Sequence, residues 1–574
     1  MTPAPTIRLT VAQAVVTYLS RQYSVADGER RRLIPATLGI FGHGNVAGLG
    51  QALDQLNETM PFIQGRNEQA LVHAAVGFAK HSRRRATLAV TASIGPGAMN
   101  LVTGAALATV NRLPVFLLPG DTYATRHQGP VLQQLQHPVD ADLTVNDVFR
   151  PVSRFFDRIT RPEQLLTALP AAIRTLVDPI ETGAVVLSLP QDVQSHAYDF
   201  PADFFNERDW IIRRPAADAD EITAVAELLA AAKKPIIIAG GGVIYSDATA
   251  ELEQLADTIG APVAETFGGK GAVQSRAWWQ VGGIGLEGTP ATNTLANEAD
   301  LVLTVGSRLT DFATGSHSIF ANPDVKFASI NVNIHDADRL GATGIVGDAK
   351  RVLTQLTAAV SFLGITAQEA WKARTEELTA AWNIERADAL NPDQLFDKSA
   401  VAADSDVVTT TDAILTQGQI IGVLQEHARS GDVIVAAAGG PPGDLQKVWD
   451  ATDGRTCHLE FGFSCMGYEI PAAMGIRMAH PDPSARITAF LGDGTFLMAP
   501  TELVTAAQEG LPITLVIPEN HGYQVIHRLQ MFRNGREFGN EFRYRTDSLQ
   551  LSGTEQTGEA PRLDGEYLAV DLVQ

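Results

Sequence analysis

Apolar residues along the chain follow two alternating patterns. One is a short β-branched run bounded by Gly or Pro, which is typical of a buried strand. It occurs at AVVLSL (184–189), KPIIIAG (234–240), ADLVLTVG (299–306), ARITAFLG (485–492) and LPITLVIP (511–518). The other is an Ala-rich stretch at helical spacing, found in EQALVHAAVGFAKH (68–81), ITAVAELLAAAKK (222–234) and TELVTAAQEG (501–510). The alternation of strands and helices predicts an α/β fold with mainly parallel sheets.

The chain is too long for one hydrophobic core. At about 150 to 200 residues per domain, its 574 residues predict three domains. Two stretches interrupt the pattern: residues 198–218 carry charge, aromatics and Pro without a period, and residues 373–394 are polar and helical. We therefore expect domains at 1–197, 215–365 and 395–574, each a mainly parallel sheet flanked by helices.

Charge and cysteine content exclude several classes of protein. With 44 Lys and Arg against 65 Asp and Glu, the net charge of −21 repels phosphate backbones, so we expect no nucleic-acid partner. Cys457 and Cys465 are too few for a disulfide framework and lack zinc-ligand spacing. The first residues lack the pattern of a signal peptide, and no apolar run approaches the roughly 18 residues of a membrane span. These features predict a cytoplasmic protein without a membrane partner.

Three glycine clusters follow predicted strands, and each fits either a phosphate-binding loop or a tight turn. They are Gly42-His43-Gly44-Asn45-Val46-Ala47, Ser93-Ile94-Gly95-Pro96-Gly97 and Gly240-Gly241-Gly242. The first has the GxGxxA form of a dinucleotide site but lacks the acidic residue expected about 20 positions later. A flavin or nicotinamide oxidoreductase built on the first or third cluster is therefore one hypothesis.

A fourth cluster carries stronger chemistry. Gly492-Asp493-Gly494 follows one predicted strand, and Glu519-Asn520-His521-Gly522 follows the next strand after an intervening helix. Parallel strands joined by one helix place these ends together, so the Asp493 carboxylate and the Asn520 amide can share a cation. Mg²⁺ prefers about six oxygens and takes several from a diphosphate and water, so these two side chains and a carbonyl near Gly522 suffice. Gly492 and Gly494 let backbone N–H groups approach the diphosphate.

The segment GDGTFLMAPTELVTAAQEGLPITLVIPEN (492–520) resembles the cofactor motif of thiamine diphosphate-dependent enzymes. The resemblance covers nearly the whole chain and implies a pyrimidine-binding first domain, a Rossmann-like central domain and a diphosphate-binding third domain. It also implies a glutamate in the first domain that shares a proton with the cofactor's aminopyrimidine ring, and Glu68 matches that position. Such a carboxyl activates the cofactor, which makes Glu68 the first catalytic candidate.

The same resemblance implies further contacts to the cofactor. In EFGFSCMGYEIPAAMGIRMA (460–479), Met466 matches the bulky residue that bends the cofactor, and the carbonyl of Ser464 would accept from the aminopyrimidine. The remaining cofactor-binding candidates are Gly95, Gly439, Gly440 and Thr495. The family often has Asn-Asn where this chain has Glu519-Asn520, and the second position is the metal ligand.

Several stretches narrow the resemblance to family members of inositol catabolism that open a cyclic polyhydroxy diketone with water. They are IFGHGNVAGLGQAL, GPVLQQLQHP, VNDVFRPVSRFFDRITRPEQL, LPQDVQ, CMGYEIPAAMGIRMA and FGNEFRYR. Five residues are candidates for handling substrate oxygens: His43, Gly44, Asn45, Gln133 and Gln134. A His side chain can move protons, which makes His43 a second catalytic candidate, although a His that only orders its loop fits equally well.

Other hypotheses stay open at this point. An acetolactate-synthase-like carboligase or decarboxylase shares the general pattern, and a non-catalytic cofactor-binding module shares the binding motifs. The family pattern implies that Glu68 of one subunit meets Asp493 of another, so a homodimer is the smallest functional unit and a homotetramer a larger one. The family also continues beyond Gln574 with a helix and a strand, so we expect the third domain to be shortened at its C-terminus.

Overall fold

The structure is a computed structural model that describes residues 5–393, 415–536 and 538–542. The elements of the first part of the chain surround one parallel sheet. The strands of this part of the chain, in this sheet and in two smaller ones, are β1 (Thr6–Thr10), β2 (Gln22–Ala26), β3 (Glu29–Arg32), β4 (Thr37–Gly39), β5 (Phe62–Gln64), β6 (Ala89–Ala92), β7 (Val115–Asp121), β8 (Phe155–Arg158), β9 (Ala184–Pro190), β10 (Ala197–Pro201) and β11 (Arg208–Ile211). Its helices are α1 (Val11–Leu19), α2 (Gln51–Gln55), α3 (Glu68–His81), α4 (Pro96–Asn100), α5 (Val102–Val110) and α6 (Leu165–Val177). Shorter helical turns lie at Val46–Gly50, Val145–Val152, Pro162–Gln164, Val193–Ser195 and Ala202–Phe205.

The first large sheet has the strand order β5-β4-β6-β7-β9-β8, and all its strands are parallel. Two small sheets flank it. Strand β10 pairs antiparallel with β1, and β11 pairs parallel with β2, which also pairs antiparallel with β3. Residues 197–211, which the sequence pattern leaves largely between domains, therefore pair with the N-terminal strands of the chain.

The central part of the chain forms a second parallel sheet. Its elements are α7 (Ala219–Ala231), β12 (Pro235–Ala239), α8 (Gly241–Tyr245), α9 (Thr249–Ile259), β13 (Val263–Glu265), β14 (Gln280–Gly283), α10 (Pro290–Glu298), β15 (Leu301–Val305), β16 (Lys326–Asn331), α11 (Ile334–Ala337), β17 (Thr343–Val346), α12 (Ala349–Phe362) and α13 (Glu369–Leu390), with short turns at Phe267–Gly269 and Arg339–Gly341. The strand order β14-β13-β12-β15-β16-β17 reverses direction between β12 and β15. This is the doubly wound order of Rossmann-like domains.

The last part of the chain adds a third parallel sheet, with the order β19-β18-β20-β21. Its elements are α14 (Gln417–Glu426), β18 (Val433–Ala436), α15 (Gly440–Val448), β19 (Thr456–Leu459), α16 (Glu469–Ala479), β20 (Ile487–Phe490), α17 (Asp493–Met498), α18 (Glu502–Gln508), β21 (Thr514–Val516) and α19 (Gln524–Asn534). The α/β class and the parallel sheets predicted from sequence are confirmed. The start of the expected third domain at 395, and its end after residue 542, lie outside the described residues.

One hydrophobic core joins the first and third sheets through helices α3 and α16. The helices approach closely because each has a glycine at the crossing. A Cβ built on Gly475 would lie 1.9 Å from the carbonyl oxygen of Ala74, and one built on Gly77 would lie 2.5 Å from that of Ala472. Both glycines are therefore required by packing rather than by backbone conformation.

Among the described residues, no helix combines the length and apolar character needed to cross a membrane.

Candidate active site

Glu68 is the first residue of α3, directly after the helix cap. Asn67 caps the helix, since its side chain accepts the N–H of Ala70 at 3.1 Å. The Glu68 carboxylate accepts a hydrogen bond from the Asn100 side chain at 2.8 Å. A Cβ on Gly97 would lie 3.2 Å from the other carboxylate oxygen, so only a residue without a side chain fits there comfortably. Helix α4, which begins directly after Gly95, thus fixes the position of Glu68.

The carboxylate of Glu502, in helix α18, holds the segment that leads into α3. Glu502 is buried, and its Oε1 accepts the backbone N–H groups of Arg66 at 3.0 Å and of Asn67 at 2.8 Å. The approach to Glu68 is therefore held by a side chain more than 400 positions away along the chain.

Hydrogen bonds of the Asn45 side chain hold the loop that contains His43 in place. The buried Asn45 side chain accepts the N–H of Gly42 at 2.9 Å and donates to the Ile40 carbonyl and the Thr91 hydroxyl at 3.2 and 3.1 Å. Because both amide hydrogens are used, Asn45 shapes the loop and has none left for a substrate. The buried Gln194 donates to the Gly44 carbonyl at 2.7 Å, which ties the loop to the end of β9.

The glycines of this loop are needed for close packing. A Cβ on Gly42 would lie 2.5 Å from the Ser93 hydroxyl, and one on Gly44 would lie 2.3 Å from the Ile94 side chain. The Gly44 N–H also donates to the Ser93 hydroxyl at 3.3 Å. The GxGxxA pattern therefore reflects contact with the 93–97 loop rather than an open dinucleotide cradle.

The remaining substrate candidates lie around these two loops. His43 is exposed. Gln133 has φ +60°, and its carbonyl would lie 2.1 Å from a Cβ on Gly95, so it covers that glycine. Both polar atoms of the Gln134 side chain are buried and have no hydrogen-bond partner among the described residues. A buried amide without partners is costly, so Gln134 is well suited to bind a polar ligand.

Asp493 and the 520–522 loop meet as the βαβ argument predicts. Asp493 is buried at the start of α17; its Oδ1 accepts the N–H of Gly494 at 2.8 Å. Its Oδ2 accepts the N–H groups of Asn520 at 3.3 Å and Gly522 at 3.2 Å. The Asn520 side chain is exposed beside it. The Asp493 carboxylate and the 520–522 loop therefore meet at the carboxyl ends of β20 and β21.

Glycines open the space around Asp493. No atom of the described residues lies within 4 Å of a Cβ built on Gly492, whereas a Cβ on Gly494 would lie 2.7 Å from the Tyr523 ring. Thr495 is buried in the same helical turn. The carboxyl end of β20 at Gly492 is therefore open to a ligand, and the missing side chain of Gly494 gives the Tyr523 ring room to pack.

A second glycine loop follows β18 in the same sheet. Gly439 has φ +78°, a conformation that favours glycine, and Gly440 begins α15. The buried Glu469 holds the preceding residues, since its Oε1 accepts the N–H groups of Ala437 at 3.2 Å and Ala438 at 3.1 Å. Burial raises the pKa of Glu469 to about 7.

The segment predicted to bend the cofactor is also supported by a buried acid. Glu460 accepts the N–H groups of Phe463 at 2.9 Å and Cys465 at 3.3 Å. Ser464 has φ +50°, and its hydroxyl donates to the Ala437 carbonyl at 3.3 Å. Met466 is half-buried next to it. This segment therefore lies against the Gly439 loop.

The predicted residues form two clusters within one chain. The first contains Glu68 with the loops at 42–45 and 93–97, and the second contains Asp493, Asn520 and the Gly439 loop. No hydrogen bond or ion pair among the described residues joins Glu68 to Asp493.

The chain matches three family models along its length. Residues 40–142 match the thiamine pyrophosphate enzyme N-terminal TPP binding domain, residues 222–356 the central domain, and residues 437–552 the C-terminal TPP binding domain. A protein of Clostridium botulinum named 3D-(3,5/4)-trihydroxycyclohexane-1,2-dione hydrolase is 41% identical over 99% of this chain and 87% of its own length. A Bacillus cereus protein of the same name, numbered 1, is also 41% identical with the same coverage. The chain belongs to the thiamine pyrophosphate enzymes.

The second cluster fits the cofactor of the thiamine pyrophosphate enzymes. The space beside Gly492 that the described residues leave open, the left-handed Gly439 and the buried Asp493 carboxylate suit a diphosphate with its cation. Among the described residues, no group of three His, Cys, Asp or Glu could hold a metal. Mg²⁺ commonly takes part of its oxygen shell from a bound diphosphate and so needs few protein ligands.

Sequence reasoning missed the acids that hold the two clusters in place. Glu460, Glu469 and Glu502 each accept two backbone N–H groups beside a predicted site segment. Glu469 and Glu502 lie in helices among apolar residues, and a carboxylate there needs a partner when buried. The position of Glu469 and Glu502 among apolar helical residues is the signal in the sequence that could have identified them.

Proposed function

We propose that the chain is a thiamine diphosphate- and Mg²⁺-dependent hydrolase that cleaves a C–C bond in the ring of 3D-(3,5/4)-trihydroxycyclohexane-1,2-dione. The product would be 5-deoxyglucuronate, a step of inositol catabolism. The observation that carries the proposal is the 41% identity to hydrolases of this name over 99% of the chain. Two residue clusters, one around Glu68 and one around Asp493, support the proposal.

The second cluster would hold the diphosphate and its cation. Asp493, Asn520 and the carbonyl of Gly522 would ligate Mg²⁺, and backbone N–H groups at Gly439, Gly440 and Gly494 would meet the phosphates. Thr495 adds a hydroxyl to the same helical turn. The carbonyl of Ser464 and the side chain of Met466 would position the cofactor's rings. Bound thiamine diphosphate would supply a carbon nucleophile for attack on a carbonyl.

Glu68 would hold and move the proton that activates the cofactor. Its carboxylate is oriented by Asn100, which leaves the second oxygen for the aminopyrimidine ring. Two supports, the cap at Asn67 and the brace from Glu502, limit the freedom of this carboxylate. A fixed carboxylate is the arrangement that general acid–base catalysis needs.

The substrate would be bound by the loops around His43 and Gln134. Gln134 would form hydrogen bonds with the hydroxyl or carbonyl oxygens of the ring, and His43 would exchange protons with them. Gly44 and Gly95 give these loops their close approach, and Gln133 and Asn45 shape them. A ligand with many hydroxyl groups matches the unpartnered amide of Gln134.

A homodimer would complete the active site, because Glu68 and Asp493 lie in separate clusters of one chain. Apolar side chains are exposed near both clusters: Met99 at 47%, Leu497 at 42%, Met498 at 59% and Val504 at 57% of their area. Association of two copies at this face would cover these side chains. A homotetramer would pair two such dimers. We also place the protein in the cytoplasm, where its two free thiols stay reduced.

The test measures consumption of the dione by protein loaded with thiamine diphosphate and Mg²⁺. Glu68→Gln should lower turnover about 100-fold or more while cofactor binding persists, because it removes a proton-transferring group. The exposed Glu58→Gln is the matched control and should keep full activity. Consumption of pyruvate instead of the dione would indicate a carboligase. Cofactor binding without turnover of either compound would indicate a non-catalytic module.

A further inference from the structure

The segment 122–143 is a long connection that carries two of the substrate candidates, Gln133 and Gln134. It joins β7 to the helical turn Val145–Val152, and none of its residues, all of which the structure describes, lies in a helix or strand. Connections longer than about 15 residues without secondary structure are uncommon in compact domains and are usually functional. Because such a segment has a large conformational entropy, the position of Gln134 depends on how the ends of the segment are held.

Both ends of this segment meet at one buried carboxylate. Asp121 is the last residue of β7, and none of its surface is exposed. Its Oδ2 accepts the hydroxyl of Thr144, 23 positions along the chain, at 3.1 Å and the hydroxyl of Ser188 on β9 at 2.6 Å. Its Oδ1 accepts the N–H of Thr122 at 2.8 Å. The two residues that flank the segment, Asp121 and Thr144, are therefore joined directly.

The guanidinium of Arg158, the last residue of β8, completes this junction. Its Nε donates to Asp121 at 2.9 Å, and one terminal nitrogen donates to the Thr144 hydroxyl at 2.8 Å and to Asp147 at 2.7 Å. Asp147 also accepts the N–H of Thr144 at 2.8 Å. A guanidinium offers several donors in a fixed plane, whereas an ammonium presents one nitrogen. Together Asp121, Thr144, Asp147 and Arg158 form a clasp at the base of the segment.

Two further contacts direct the segment toward the cluster around Glu68. Asp192, shortly after β9, accepts two backbone N–H groups near the start of the segment, at 3.0 and 2.9 Å. Farther along, the carbonyl of Gln133 covers Gly95, the residue before α4. The next residue is Gln134, whose buried amide has no hydrogen-bond partner among the described residues. The segment therefore lies against the helix that holds Glu68.

We propose that Asp121 and Arg158 are positioning residues, which hold the ends of the 122–143 segment together and thereby place Gln134 beside the Glu68 cluster. Both act through the segment and touch no substrate. The role of Gln134 rests on the proposed hydrolase function, whereas the anchoring of the segment does not. A buried ion pair is costly to desolvate and is a poor device for stability alone. Its charge-assisted hydrogen bonds do fix directions, which the base of a long connection requires.

Limited digestion with trypsin tests the anchoring in the full chain loaded with thiamine diphosphate and Mg²⁺. Arg126 is exposed and is the one Lys or Arg between residues 122 and 143, so cleavage after it reports the freedom of the segment. Thr144→Val removes the shared hydroxyl with little change of shape and should raise the cleavage rate about tenfold or more. Thr144→Ser keeps the hydroxyl and should be cleaved like the original chain. An unchanged rate in the Val variant would overturn the proposal.

The role of Arg158 is tested with a variant that keeps its charge. Arg158→Lys presents a single nitrogen, which cannot bind all three acceptors together, and should also raise cleavage about tenfold or more. Arg154→Lys is the matched control, because Arg154 precedes β8 at its opposite end and pairs with the exposed Glu181 at 3.3 Å. It should be cleaved like the original chain. Faster cleavage in both Lys variants, or in neither, would overturn the role of Arg158.

Kinetics with the dione test whether the clasp acts through Gln134. Thr144→Val and Gln134→Ala should each raise KM about tenfold or more and change kcat less than about threefold, because substrate binding is weakened while Glu68 stays in place. The double variant should raise KM no further than either single variant. A fall in kcat at unchanged KM, or multiplied effects in the double variant, would indicate a merely structural clasp and overturn the proposal. If the original chain consumes no dione, the proposed function fails, and the cleavage rates decide the anchoring by themselves.

Discussion

Replacement of Glu502 by Ala should loosen the segment that carries Glu68. Glu502 Oε1 accepts the N–H groups of Arg66 and Asn67 at 3.0 and 2.8 Å. Each buried N–H left without an acceptor costs about 1 to 3 kcal/mol. Two such groups, with water partly replacing the lost acceptor, give about 3 kcal/mol. That change corresponds to a roughly hundredfold increase in local opening, at about 1.4 kcal/mol per tenfold.

Hydrogen exchange followed by mass spectrometry measures this opening directly. Peptides covering residues 64–68 should lose protection in Glu502→Ala, whereas those covering β15 should exchange as in the original chain. Glu502→Gln is the matched control, because its amide oxygen can accept both N–H groups and should restore protection. Dione turnover should fall in the Ala variant and recover in the Gln variant. Full protection in the Ala variant, or equal loss in both, would show that this brace does not position Glu68.

Three further outcomes follow from packing, burial and ligand chemistry. Gly475→Ala should lower stability by about 2 kcal/mol, because its Cβ would lie 1.9 Å from the Ala74 carbonyl oxygen. Gly129→Ala should leave the thermal midpoint unchanged, because no atom of the described residues lies within 4 Å of a Cβ at that position. Burial raises the pKa of Glu469 from 4.5 to about 7, so the stability that this group contributes is complete below pH 4.5 and is lost as the pH rises through 7. The thermal midpoint of Glu469→Gln, measured relative to that of the original chain, should therefore rise between pH 4.5 and 7 and stay constant above pH 7. Asp493→Asn should weaken Mg²⁺-dependent binding of thiamine diphosphate at least tenfold by titration, and an unchanged affinity would exclude it as a ligand.

Much of the fold could be predicted from local pattern. Residues 68–81 were predicted as a helix and form α3 with the same bounds, and the run at 184–189 forms β9. The meeting of Asp493 with the 520–522 loop was also predictable, because one βαβ unit fixes both strand ends. By contrast, the pairing of β10 and β11 with the N-terminal strands joins segments nearly 200 positions apart, and no local signal specifies such a pairing.

The glycine clusters show where sequence interpretation stops. Gly42 and Gly44 have a dinucleotide spacing, yet their missing side chains make room for Ser93 and Ile94. Gly240 and Gly242 likewise approach the backbone of Gly306, which makes them packing residues at the carboxyl ends of β12 and β15. A glycine in a sequence says that space is needed, and only the structure says what occupies the space.

The sequence by itself determined the α/β class, the order of its main elements and the pairing of Asp493 with Asn520, because helix periodicity, strand burial and βαβ geometry act over short distances. The tertiary structure alone decided how Glu68 is held, since Glu502 lies 435 positions from Asn67. It also decided that Asp121, Thr144 and Arg158 meet at one junction. Burial and unsatisfied hydrogen bonds depend on which distant segments meet, and the chain settles that only when its cores pack together.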